Sequence, residues 1–457
     1  MKKNFRETMK LEKFVPGGQV LGVLSDGRKA FVWGVLPGET AEVEIMKAKK
    51  NWAEGFAKTI LAPAEVREKP KDNCYLSTSP WQILRWKNEL REKEKLVREV
   101  FRENKIVFRD DENFAKYGED FSKIDTEIRE IATDGKQFGY RNKMEYSLYF
   151  MSRAEAEKPE NAEFLATFSP EDFSRKYVDH GEEIVGGKIF LAFHRRGSHG
   201  KIPILQSSIE RPEIFASAQE IVDELNANGE NAWKFQSLLM RASRNGEVSG
   251  ALFENCKPHP KMTNLSDELL GREYSYSPNG FFQINLPVYE LALREISRNV
   301  GASRKVVDMY SGVGTIGLSL ADEKREITLV ETDNSAVEEM QKNVENLDEN
   351  LRRNVKIVHT KSEDALENIS RNSVLILDPP RAGLWPSVVE KIREIQPEKV
   401  IYLSCNPATQ ARDVARILGN NEDEFREKSG YKITFAKPFN FFPRTPHIEN
   451  LVVLERK

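Results

Sequence analysis

From about residue 271 onward, short apolar runs alternate with amphipathic ones, and this alternation constrains the fold more than any other feature of the chain. Strands are expected at 306–310, 327–331, 355–359, 373–378 and 400–404, and helices at 316–321, 335–346, 387–395 and 408–418. Strands alternating with helices build a doubly wound α/β sheet, whose ligands lie beyond the carboxyl ends of the strands. A terminal strand is expected at 451–454.

Chemistry-bearing residues recur at those strand ends. The first strand runs into Gly312-Val313-Gly314-Thr315-Ile316-Gly317 and then a helix. Glycines there let the backbone approach a ligand closely. Glu331 ends the next strand, about 20 residues on, where an acid can hold a ribose diol. The unit indicates an adenosine-type cofactor and does not by itself separate a nicotinamide dinucleotide from S-adenosylmethionine. The fourth strand delivers Asp378, followed by Pro379-Pro380. Prolines stiffen that loop, which either frames a planar base or positions the acid, or is simply a tight turn. The fifth delivers Cys405 just before a helix, with Asn406-Pro407 between them. A helix N-terminus favours a thiolate, so a reactive cysteine is expected there. An isolated cysteine is otherwise more often a small buried hydrophobe. Phe442-Pro443-Arg444-Thr445-Pro446-His447-Ile448-Glu449 precedes the last strand, placing Glu449 where it could face the same crevice as Cys405. His447 is a substrate contact or a structural residue in that reading.

The rest of the 457 residues leave room for further domains. Residues 10–60 read as a small β-barrel, with strands at 20–24, 30–35 and 41–46 between turns. Residues 1–60 carry eleven Lys/Arg against seven Asp/Glu, although the whole chain has a net charge of −3. Lys47, Lys49 and Lys50 interleave with Trp52, as in single-strand binders, or form an ordinary solvated turn. Three prolines mark a linker over 60–85. A charged helix is expected over 81–101, its KNELREKEKLVRE run a solvated face. Residues 120–275 read as α+β, with a strand at 144–150 and a hairpin over 236–253 turning at Asn245-Gly246. Two basic loops, Arg141-Asn142-Lys143 and His194-Arg195-Arg196, could grip phosphates or be ordinary basic surface. Three scattered cysteines, with no CxxC, argue for a reducing cytosol and against a disulfide framework or a metal site. No apolar run is long enough to span a membrane, and MKKNFRETMKLEKF lacks the apolar core of a signal peptide.

In family order, these motifs resemble the RNA uridine-C5 methyltransferases, which form 5-methyluridine in transfer or ribosomal RNA. VLGVLSDGRKAFVWGVLPGE is similar to their RNA-binding TRAM barrel, FGYRNK to a central-domain motif, and SPNGFFQIN to a cofactor segment. DMYSGVGT, LVETD, DPPRAG, SCNP and FPxTxHxE follow. The resemblance implies four stretches: a barrel over 1–68 (TRAM- or OB-like), a linker and helix over 69–118, a central α+β RNA-binding domain over 119–270, and a Rossmann-like methyltransferase domain over 271–457. It implies S-adenosylmethionine held by Gln283, Tyr310, Gly312, Gly314, Thr315, Glu331 and Asp378, with Cys405 as nucleophile and Glu449 as base. Arg381 and His447 join Lys47, Lys49, Lys50, Arg141, Asn142, Lys143, His194, Arg195 and Arg196 as expected RNA contacts. Many members hold an iron–sulfur cluster on four cysteines. Here only Cys74 remains, and Gln206-Ser207 stand where another is common, so no cluster is expected. The expectation is a cytoplasmic monomer acting on RNA, ribosomal rather than transfer RNA by its layout. The alternatives are an RNA cytosine-C5 methyltransferase, disfavoured because DPPRAG has no second cysteine, a nicotinamide oxidoreductase, and an RNA-binding relic.

Overall fold

The computed structural model describes residues 5–118, 121–179, 182–229, 234–420 and 430–457. Five strands, Phe5–Phe14, Val20–Val23, Lys29–Trp33, Thr40–Ala48 and Trp52–Ala62, close into a barrel. Its alternating inward residues, among them Leu11, Val20, Val32, Val43 and Ala53, are fully buried. The first and last of these strands were not expected. Their charged residues alternate with apolar ones, and that masks the pattern.

The central region is a six-stranded sheet containing Lys143–Ser152, Gly187–His194 and the hairpin Ser237–Ala242/Val248–Glu254, which turns at Asn245-Gly246 as expected. The helix Pro212–Asn228 buries Ile214, Ala218 and Val222 against one face of this sheet.

The C-terminal sheet has seven strands. Their order is Val355–His359, Glu326–Glu331, Lys305–Met309, Val374–Leu377, Lys399–Ser404, Glu449–Arg456 and Tyr431–Phe439. The first five are parallel, and the last two form an antiparallel pair on that edge. The strand order reverses beside Lys305–Met309, so the loops after it and after Val374–Leu377 flank the switch-point crevice. The helix Leu286–Val300 covers one face. Trp86–Glu103 and Pro407–Leu418 pack on the other.

The charged helix departs from expectation in two ways. It begins at Trp86, because Pro80–Ile83 forms a separate 3₁₀ turn and Leu84 is extended. Its charged run is also not a solvated face, since Glu89 and Lys93 are fully buried and paired at 3.0 Å. The Lys93 ammonium donates to Asn440 Oδ1 at 2.6 Å and to the Phe442 carbonyl at 3.0 Å. Glu89 Oε1 accepts the Arg444 backbone N–H at 2.9 Å. Arg444 is itself buried, donating to the Leu84 and Gln82 carbonyls at 2.9 and 2.8 Å. Its backbone lies in the left-handed region at φ 62°. The helix thus clamps the loop that leads into the last strand.

Removing one partner of a buried ion pair strands the other charge, at a loss of about 3–5 kcal/mol. Lys93→Met should lose that much in urea denaturation. Lys93→Met/Glu89→Gln should lose less than the sum of the two single variants. A loss under about 1 kcal/mol for Lys93→Met would mean the pair does not hold this loop.

Candidate active site

The turn after Lys305–Met309 is held open for a ligand. Tyr310, Gly312 and Gly314 all have positive φ, at 64°, 56° and 87°. A side chain at Gly312 would meet no heavy atom within 4 Å, so the backbone there borders empty space. The Glu331 carboxylate accepts the Gly312 N–H at 2.9 Å, and the Thr332 and Asp333 N–H groups at 2.7 and 2.9 Å. Glu331 therefore shapes the turn as well as bordering the crevice. Thr315 is buried at the start of the following helix. Beneath it lies Asp308, which the sequence reading missed. It is fully buried, accepts the Gly317 N–H at 2.8 Å, and burial pushes its carboxyl up to about 8.

Strand register places the chemistry-bearing pair. Ser404 lies opposite Asn450 at the end of that ladder, so Cys405, just beyond its strand, and Glu449, at the start of the last strand, lie side by side where the pairing ends. Facing residues on paired strands share one side of the sheet. Leu403 and Leu451, two positions before and after, pack with the helix Leu286–Val300. Cys405 and Glu449 therefore point toward the crevice on that side. Asn450, on the other side, is locked by Gln410 at 2.7 Å.

The loops around them are tied together. The Asn406 side chain caps the helix Pro407–Leu418, accepting the Ala408 N–H at 3.3 Å, and donates to the Arg381 carbonyl at 3.0 Å. Thr409 donates to the same carbonyl at 3.1 Å. Asp413, also missed by the sequence reading, accepts the Leu384 N–H at 2.8 Å and the Tyr402 hydroxyl at 3.0 Å. The loops carrying Asp378 and Cys405 are thus one rigid unit.

The thiol is not held as a thiolate, contrary to the expectation from the helix N-terminus. Burial and the nearby carboxylates of Glu449 and Asp378 push Cys405 up to about 12, against a smaller opposite pull from Arg381. A helix of twelve residues cannot offset two acids at closer range. Burial raises Glu449 and Asp378 as well, and Asp378 adds to the rise at Glu449. Like charges confined in one site disfavour double ionisation. His447 is pulled down to about 4 by burial and by the cations Arg381, Lys93, Arg141 and Arg196. Its Nδ1 lies 3.3 Å from the Arg381 guanidinium, which can only donate, so the neutral ring keeps its proton on Nε2.

Four of the expected RNA contacts have internal work. Asn142 is buried, donates to the Gln283 carbonyl at 3.1 Å, and takes its own N–H to the Ile284 carbonyl at 3.1 Å. Lys143 donates to the Asn279 and Gly280 carbonyls, both at 3.0 Å. FGYRNK therefore fastens the segment carrying Gln283, and Tyr140 adds a bond to the Pro443 carbonyl at 3.0 Å. Asn285 ties that segment to Phe441 at 3.1 Å. Arg196 stacks on Trp33 of the barrel at 4.2 Å and donates to the Leu76 carbonyl. Arg141 is half-buried and donates to the Lys143 carbonyl at 2.8 Å. Lys47, Lys49, Lys50, His194, Arg195 and Arg381 are exposed, with Lys47 5.3 Å over the Trp52 ring.

Residues 264–457 match the family model described as tRNA (uracil-5-)-methyltransferase. That match covers less than half of the chain. The chain is an S-adenosylmethionine-dependent RNA uracil-C5 methyltransferase. An uncharacterized RNA methyltransferase of Thermotoga maritima is 25% identical over 98% of both chains. One of Enterococcus faecalis is 26% identical over 95% of this chain and 94% of its own. The solved tRNA (uracil-54, C5)-methyltransferase of Pyrococcus abyssi covers 98% of this chain and 99% of its own. It has a TM-score of 0.65 at 19% identity, which shows a shared fold. No helix among the described residues is long and apolar enough to cross a membrane.

Iodoacetamide should alkylate Cys405 of this methyltransferase far more slowly than exposed Cys256 at neutral pH, by peptide mass spectrometry, with the gap narrowing as pH rises. Glu449→Gln should speed Cys405 alkylation, because it removes a carboxylate that raises the thiol. Alkylation of Cys405 as fast as that of Cys256 at pH 7 would overturn this account of the thiol.

Proposed function

We propose that the chain methylates C5 of a uridine in RNA through a covalent adduct between Cys405 and uracil C6, with Glu449 as the base. The observation that supports this most is the strand register that sets Cys405 and Glu449 side by side, near Asp378. The empty space at Gly312, the positive-φ turn and the Glu331 carboxylate suit the adenosine portion of S-adenosylmethionine. Gln283, Tyr310, Gly314, Thr315 and Asp378 complete that set. The Pyrococcus enzyme of the same fold is solved with S-adenosyl-L-homocysteine.

C5 of uracil is a weak nucleophile. As the Cys405 sulfur bonds to C6, the thiol proton passes to solvent, to be regained when the thiolate is released, and the C5=C6 electron pair moves toward C5 and O4. When bound, S-adenosylmethionine supplies an electrophilic methyl to C5. Glu449 then takes the C5 proton, the C–H pair restores C5=C6, and the C6–S bond breaks to release the thiolate. Burial raises the proton affinity of Glu449, which suits it to accept a proton near neutral pH. The buried thiol becomes nucleophilic only as it bonds, which protects it from oxidation between turnovers. A base in a duplex or loop must leave its stack to reach this crevice. The exposed Arg381 beside His447 favours the RNA backbone at the mouth. The neutral His447 Nε2–H and the exposed Arg381 are donors for the base edge.

The layout does not select ribosomal RNA, because the Pyrococcus enzyme shares it and is named for tRNA. Methyl transfer to size-fractionated RNA lacking 5-methyluridine reads the RNA class directly.

Cys405→Ala should reduce transfer to background and form no protein–RNA adduct. Glu449→Gln should lower turnover by roughly 10²–10⁴-fold while an adduct accumulates. Normal turnover of Glu449→Gln with no trapped RNA would remove it from the mechanism. Label appearing in 5-methylcytidine would replace the base assigned here.

A further inference from the structure

A second cationic recess lies where three parts of the chain meet. It has a volume of about 310 Å³ and is lined by Lys69 and Lys71 of the linker, Gly135 and Phe138 before the FGYRNK motif, and Arg444 of the loop leading to Glu449. One carboxylate, Glu68, also lines it and lies 3.2 Å from the Arg444 guanidinium. Arg444 also lies 3.7 Å from the buried Glu89 carboxylate, so the excess of positive charge comes from the two lysines.

The recess is preorganised. The Lys71 backbone N–H is held by Gln82 Oε1 at 2.8 Å, and its ammonium sits 4.0 Å above the Phe138 ring. Arg444 is fixed by the Gln82 and Leu84 carbonyls, while its Nε has no partner among the described residues. Lys69 and Lys71 are exposed, and neither forms an ion pair among the described residues. Unneutralised lysines over a buried arginine suit a dianion or a phosphodiester rather than a metal or an apolar group. The position favours the phosphodiester, because Arg444 precedes His447, at the mouth of the crevice, by three residues.

We propose that this recess binds one backbone phosphate of the RNA substrate, flanking the nucleotide that enters the crevice. The proposal rests on the reading of the chain as an enzyme acting on RNA. It adds a contact outside the base site and links RNA binding to the loop that carries Glu449.

The test is binding of fluorescein-labelled bulk tRNA and of a labelled single-stranded RNA, without cofactor, over a series of salt concentrations. Lys69→Gln/Lys71→Gln should weaken binding about tenfold at moderate salt and flatten the slope of log Kd against log salt by about 0.7, the loss of one phosphate contact. S-adenosylhomocysteine affinity and kcat at saturating RNA should stay unchanged. Glu68→Gln should shift RNA affinity the opposite way, by two- to threefold, a sign that general damage to the fold would not produce. Unchanged affinity and slope in the lysine variant would overturn the proposal, as would weaker binding with the slope intact. A thermal shift with inorganic phosphate that the lysine variant abolishes, while RNA binding is unaffected, would replace it with a small-anion site. Because binding is read without turnover, a wild-type enzyme that fails to methylate uridine would count against the proposed reaction alone.

Discussion

The buried pairing of Glu89 with Lys93 is the interaction on which the rest of this arrangement depends. Two charges with no solvent access are stable only if their remaining hydrogen-bonding capacity is filled. Here residues 440–444 supply most of it, through Asn440, Phe442 and the Arg444 backbone, while Glu89 Oε2 has no hydrogen-bond partner among the described residues and lies 3.7 Å from the Arg444 guanidinium. A single helical turn at the end of the linker thereby fixes the path of a loop some 350 residues away in sequence. That loop has no regular structure of its own and includes a non-glycine residue at positive φ. Its conformation is imposed by these external bonds.

The crevice itself is electrostatically unfavourable in its ionised form. Burial raises the proton affinity of Cys405, Asp378 and Glu449, Asp378 adds to the rise at Glu449, and both carboxylates add to the rise at Cys405. Arg381, which is exposed and shared with His447, opposes the rise at both Cys405 and Glu449. The site is also rigid. The loops of Asp378 and Cys405 share the Arg381 carbonyl as a common acceptor. The Gln283 segment is bound to both the central sheet and the loop before Glu449.

The C-terminal sheet was legible because its periodic signals are local. Strands and helices alternate, and Glu331, Asp378 and Cys405 all fall at strand ends. What was not legible depends on partners distant in sequence. Tyr431–Phe439 was missed because Lys432, Lys437 and Pro438 break its apolar pattern, and it is an edge strand, where such residues are tolerated. Glu89 and Lys93 look like any i,i+4 surface pair until the loop that buries them is in place. Asn142 and Lys143 read as a basic surface loop, but their partners are carbonyls about 140 residues away. The thiol's direction of shift was misread for the same reason. The helix is adjacent in sequence, while Glu449 reaches Cys405 only through strand pairing.

The barrel meets the loop of residues 444–446 directly, and this ties it to the C-terminal sheet. A Cβ on Gly18 would come within 2.4 Å of Pro446, and Gly18 has φ 92°, so only glycine permits the approach. The Gly18 carbonyl accepts the Trp81 indole N–H at 3.2 Å, and the Trp81 ring packs on Phe14 of the barrel at 4.6 Å. Trp81 in turn donates its backbone N–H to the Arg444 carbonyl at 3.0 Å. Barrel, linker and residues 444–446 thus form one packed unit, and the chain leaves it three residues before Glu449. Any displacement of the barrel must either break that packing or be transmitted to the residue beside Cys405. Close packing favours transmission, since protein interiors shift as units rather than deform freely.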